Sequence, residues 1–180
     1  MKFVLLVLFA LGSLWGESHE YQSIFDKDFV RGYYVGVDST YQDYNGDGVL
    51  LYGAKVGLSL LTNAGVELDY RTSGDSMMLD ANATKINKYR ISSLFMGPDY
   101  EVIHGVGRIS AGIQQLSSDT INDDNLFFGL GGSIILNIVT NVKIAFNLDL
   151  EISSGVDYGP ITDGDIGIWT GGVSLIYGIY

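Results

Sequence analysis

From Arg31 to the C-terminus, apolar and polar residues alternate with a period of two, the mark of β-strands whose two faces meet unlike surroundings. The stretch 142–153 shows the pattern most plainly. Val142, Ile144, Phe146, Leu148, Leu150 and Ile152 fall on one side, and Lys143, Ala145, Asn147, Asp149, Glu151 and Ser153 on the other. Leu50, Tyr52, Ala54, Val56 and Leu58 oppose Leu51, Gly53, Lys55, Gly57 and Ser59. Val66, Leu68 and Tyr70 oppose Glu67, Asp69 and Arg71, and Tyr89, Ile91, Ser93 and Phe95 oppose Arg90, Ser92, Leu94 and Met96. Four further segments follow the same rule: Tyr33–Tyr41, Ile103–Gln114, Phe128–Asn137, and a last one ending at the C-terminus with Trp169, Val173, Leu175, Tyr177 and Ile179 in phase. No amphipathic helix interrupts them. The pattern predicts eight antiparallel strands.

The connections add a second regularity. They cover roughly 42–48, 62–64, 73–87, 97–101, 117–124, 139–141 and 154–164, so that long and short alternate. Asn45-Gly46-Asp47-Gly48, Ser73-Gly74-Asp75 and Asp163-Gly164-Asp165 supply the turn chemistry of the long ones. Tight turns at one end and longer loops at the other are expected of an up-and-down transmembrane β-barrel, with the loops outside the cell.

Alternation alone does not separate a membrane barrel from a soluble one, because a lipocalin-like carrier of hydrophobic ligands would point its apolar set inward. The apolar sets settle the expectation. None contains a charge, and a Lys or Arg facing the middle of a bilayer costs such a barrel roughly 2–4 kcal/mol. The opposite face mixes Gly and Ser with Lys55, Arg71, Arg90, Arg108 and Lys143 against Asp38, Glu67, Asp69, Asp149 and Glu151, five charges of each sign. An eight-stranded barrel is filled by its own side chains, and charges buried there must pair. The polar set is therefore expected to form an interior charge network. Tyr41, Tyr52, Tyr70, Tyr89, Phe128 and Trp169 lie toward the loop ends of their segments and Phe95, Tyr177 and Tyr180 toward the other, as two interfacial aromatic girdles would.

The beginning of the chain reads as a targeting segment. After Met1-Lys2, Phe3–Leu11 is an apolar run too short to span a bilayer as a helix and suited to the core of a secretory signal peptide. Residues 1–16 are assigned to it, with cleavage between 12 and 18, followed by an N-terminal periplasmic segment, 17–30, and the barrel, 31–180. The 180 residues carry a net charge of −11 and no Cys, which removes disulfides and thiolate metal sites. An acidic chain lacking a basic patch has no means of neutralising phosphates, so nucleic acid is not an expected partner.

On these features the chain resembles the small bacterial outer-membrane barrels: the OmpA-type transmembrane domain, OmpX-like proteins and Opa-like adhesins. The resemblance covers about Arg31 to Tyr180 and is one of architecture. It implies contact with outer-membrane lipid and lipopolysaccharide, and insertion by the barrel-assembly machinery. That machinery recognises a C-terminal strand with a terminal aromatic, here Ser174–Tyr180 with Tyr177 and Tyr180. This chain has Gly178 two places before the end, where the family carries a hydrophobic or aromatic residue, and Tyr177 is in the other phase. The resemblance implies a non-enzymatic envelope role, or a loop-mediated adhesin or receptor for a host or phage ligand, with Met77, Met78 and Leu79 the candidate contact. A narrow pore is a third reading.

Catalysis has little to work with. Barrels of this size that modify lipid A resemble hydrolases or acyltransferases with a catalytic His and Ser near the outer leaflet. Beyond the targeting segment this chain has only His19 and His104, the latter near the turn end of its strand and outside any His-x-Ser motif. No cofactor is expected, with one exception to examine. Asp43, Asn45 and Asp47 stand as in the first half of a calcium loop, but the twelfth position, where an EF-hand loop has an acid, is Ala54.

Overall fold

The computed structural model describes residues 33–44, 47–61, 64–73, 77–79, 82–100, 103–118, 122–139, 141–158 and 161–179. The expected targeting and N-terminal segments, 1–30, lie outside the described residues.

The strands are β1 (Tyr33–Tyr44), β2 (Asp47–Leu61), β3 (Ala64–Thr72), β4 (Met77–Leu79), β5 (Asn82–Tyr100), β6 (Ile103–Ser117), β7 (Asn122–Val139), β8 (Val142–Tyr158) and β9 (Ile161–Ile179). Each pairs antiparallel with its neighbours in the order β3-β2-β1-β9-β8-β7-β6-β5, and a β3–β5 pairing closes the ring. The result is a closed, all-antiparallel barrel of eight strands with no helix among the described residues. Closure leaves no open edge along the wall and satisfies its backbone groups internally.

Tyr33 pairs with Ile179, so the first and last strands of the barrel meet at one end. The strand ends Leu61 and Ala64, Tyr100 and Ile103, and Val139 and Val142, between which short connections run, lie at this same terminal end. At the far end the strands run further than the polar turn residues suggest. β1 and β2 stay paired to Tyr44↔Asp47, and β8 and β9 to Tyr158↔Ile161, inside the stretches 42–48 and 154–164 expected as loops. Within the stretch 73–87, Met77–Leu79 pairs with Asn82–Thr84 as a short hairpin, and β5 begins at Asn82 where the alternation suggested Tyr89. Backbone pairing explains these differences, since a hairpin satisfies N–H and C=O groups that an open loop would leave to water. The β5–β6 register shifts between Met96 and Asp99, where Pro98 has no N–H to contribute.

The two faces are those read from the alternation. Val37, Tyr52, Ile91, Phe128, Leu148 and Trp169 are each more than half exposed, while the charged set on the alternate positions is buried. Leu130, near the middle of β7, is 63% exposed. The aromatic girdle at the far end is also present, with Tyr41, Tyr52, Tyr70, Tyr89, Phe128 and Trp169 all on the outer surface. Tyr70 and Tyr89 stand side by side there, with ring centroids 5.0 Å apart.

Candidate functional site: the lumen

The interior is built from the inward positions of every strand in the wall. Large charged side chains fit because glycines face them. A Cβ on Gly53 would collide with the Asp38 carboxylate and the Arg71 stem, and one on Gly131 with Asp149. Gly57 has the same function for an aromatic ring, since a Cβ there would overlap Tyr34. In a barrel just wide enough to be filled by side chains, small residues opposite long ones are what permit dense packing.

All ten residues expected in the network, Asp38, Lys55, Glu67, Asp69, Arg71, Arg90, Arg108, Lys143, Asp149 and Glu151, are buried, none more than 6% exposed. Arg90 is the hub. Its Nε donates to Asp69 Oδ2 at 2.5 Å and its Nη1 to Asp149 Oδ2 at 2.9 Å, with Glu151 at 3.7 Å and Glu67 at 3.9 Å. Arg71 Nε donates to Asp38 at 3.1 Å and lies 3.5 Å from Asp69. Arg108 Nη1 reaches both Asp149 oxygens, at 3.0 and 2.8 Å, and its Nη2 donates to Ser133 and Asn147. Lys55 is 3.6 Å from Glu67. Lys143 is buried in the part of the lumen that it lines together with Tyr34, Lys55, Glu67 and Arg108.

Two members were not anticipated. Lys88 is fully buried, pairs with Glu151, and lies 4.3 Å from the Phe127 ring centroid in a cation–π contact. It makes six cations against five carboxylates among the described lumen residues, where the sequence suggested five of each. Tyr34 donates its hydroxyl to Glu67 at 2.6 Å. Both lie in phase with the network, and extending the alternation one position before Tyr89 would have found Lys88.

The remaining candidates are not drawn together. His104 is buried at the terminal end of β6, where its Nε2 lies 2.6 Å from Asn137 Nδ2. Of the calcium-loop residues, Asp43 is exposed and paired with Gly48 in the backbone ladder, and Asp47 opens β2 opposite Tyr44. Asn45 lies outside the described residues. No group of three acids or histidines that could hold a metal ion occurs among the described residues. Tyr177 is on the outer surface of β9, and the Gly178 N–H donates to Asn141 O at 2.9 Å. Tyr180 lies outside the described residues.

No protein-family model matches the chain, and no curated protein matches its sequence. Solved structures do. The fold is similar to that of Neisserial surface protein A, with a TM-score of 0.62 and 8% identity over 81% of this chain and 96% of that one. It is also similar to the N-terminal β-barrel domain of OprF from Pseudomonas aeruginosa, with a TM-score of 0.54 and 16% identity over 81% of this chain and 97% of that one. At these identities the likeness is one of fold, that of the small eight-stranded outer-membrane β-barrels.

Proposed function

We propose that the chain is a non-enzymatic integral outer-membrane protein with a structural role in the envelope, its terminal end periplasmic and its far-end hairpins exposed outside. One observation carries the reading: the wall is inverted relative to a soluble barrel. Its apolar residues face outward and its paired charges inward. Water would reward the opposite arrangement, because buried charge is costly and exposed apolar surface of this extent is unfavourable. A bilayer reverses the second term. An even number of strands places both ends of the barrel on one side, and the short connections there match the periplasmic turns of such barrels.

The test is heat modifiability. The mature protein refolded into detergent micelles is expected to migrate differently on a denaturing gel with and without boiling, and to give a β-rich circular dichroism spectrum. Solubility without detergent and unchanged mobility would instead point to a soluble barrel.

A second reading, a loop-mediated adhesin or receptor, is favoured by the far-end ribbons. β8 and β9 remain paired to Tyr158↔Ile161, although β9 leaves β1 at Trp169 and β8 leaves β7 at Ser154. Together with the β4–β5 hairpin they carry backbone beyond the closed wall. On this reading, deleting residues 75–81 abolishes binding of the purified barrel to host cells. Binding that survives the deletion would count against that hairpin as the contact.

A further inference from the structure

We propose that the lumen binds one small monovalent anion, of the size of chloride, in a void lined by Lys55, Arg108 and Lys143. This goes beyond an envelope role, which calls for a filled interior but for no ligand inside it.

The void measures about 20 Å³. That is room for about one water, and a monatomic anion is little larger. Its lining is uneven in charge. The two ammonium groups of Lys55 and Lys143 and the Arg108 guanidinium stand against a single carboxylate, that of Glu67. All four residues are buried, none more than 5% exposed. They come to the void from different sides, since Lys143 precedes Ala145 on β8 from the terminal end, whereas Arg108 follows Val106 on β6. The rest of the lining is uncharged, Ser133 and Asn147 together with apolar side chains such as Leu94 and Ile135.

Glu67 alone does not offset these cations. Its Oε2 accepts from the Tyr34 hydroxyl at 2.6 Å and lies 3.6 Å from Lys55. Its Oε1 is 3.9 Å from Arg90 and 4.0 Å from Arg108 Nε. Arg108 commits Nη1 to Asp149 and Nη2 to Ser133 and Asn147. Its Nε is buried and has no hydrogen-bond acceptor among the described residues. A buried donor left unsatisfied is costly, and buried charge of one sign must be offset. An anion in the void does both, giving Nε an acceptor and balancing the ammonium groups around it. A water is the neutral alternative. It would bridge Arg108 Nε to Glu67 Oε1 and leave the excess of positive charge where it is.

To test this, the barrel is refolded in non-ionic detergent with sodium chloride or sodium gluconate at matched ionic strength, so that the anion is present before the lumen packs. Urea unfolding is then followed by gel mobility. At a given urea concentration chloride is expected to raise the folded-to-unfolded ratio at least about fivefold over gluconate, and in proportion to its concentration once that exceeds Kd, as one bound anion requires. Two variants separate the site from a general salt effect, in which sulfate would stabilise more than chloride. Lys143→Met removes a cation from the lining, and Ala145→Leu fills the void without changing any charge. Each is expected to lose most of the chloride increment, and either one suffices if the other does not fold. Crystals grown in bromide are expected to show an anomalous peak in the void. Equal ratios in chloride and gluconate would overturn the proposal, as would an increment that survives in a folded variant. So would density in the void without the bromide signal, the mark of a water.

Discussion

Replacing Arg90 with methionine is expected to destabilise the folded barrel by about 3–5 kcal/mol, the range that follows when one partner of a buried ion pair is removed. The guanidinium lies within 4 Å of four carboxylates, those of Asp69, Asp149, Glu151 and Glu67. Methionine keeps much of the length and removes the charge, leaving those four carboxylates buried and short of a cation. The loss is not shared evenly. Asp149 keeps Arg108 at 2.8 Å, and Glu151 keeps Lys88, whereas Asp69 falls back on Arg71 at 3.5 Å. Arg90→Met combined with Asp69→Asn should therefore recover part of the loss, a coupling that a double-mutant cycle reads directly. The urea midpoint of the heat-modifiable species, followed by gel mobility, measures both variants. A loss below about 1 kcal/mol would mean that these charges are solvated after all, as exposed pairs are.

Most of this network was legible in the chain because alternation and charge report the same thing. Lys55, Glu67, Asp69, Arg71 and Arg108 could be placed inward from phase alone, since the alternate positions carried no charge. What phase does not carry is register. Asp69 and Arg90 are direct cross-strand partners, but the Arg90 contact with Asp149 joins strands on different parts of the wall. Such a contact exists only once the barrel closes. Strand ends were the weakest part of the reading. Ser73-Gly74-Asp75 looks like the start of a long loop, and beginning the next strand at Tyr89 left Lys88 out of the count. Paired backbone in fact continues through Asn82. Tyr34 was on the correct face, but a tyrosine there reads as packing, and its bond to Glu67 depends on the room left by Gly57. Ile86 lay in the stretch expected as loop, so its place on the inner face of β5, beyond Lys88 and Arg90 from Leu94, was not read.

The outward face supports an equally large prediction whose sign depends on the surroundings. Leu130 projects from the middle of β7, 63% exposed, and pairs with Ile109 and Leu150 on the neighbouring strands. In a bilayer Leu130→Arg places a guanidinium against hydrocarbon and is expected to cost about 2–4 kcal/mol, with a much smaller penalty for Ile179→Arg near the interface. On a soluble barrel the same substitution would replace an exposed leucine with an exposed arginine, a change normally within about 0.5 kcal/mol. Refolding yield and denaturant midpoint in phospholipid vesicles, compared at both positions, measure the difference. A steep dependence on depth means that the apolar belt meets lipid. Equal and negligible effects would mean that it meets water, and the outward leucines and aromatics would then need a protein partner to cover them.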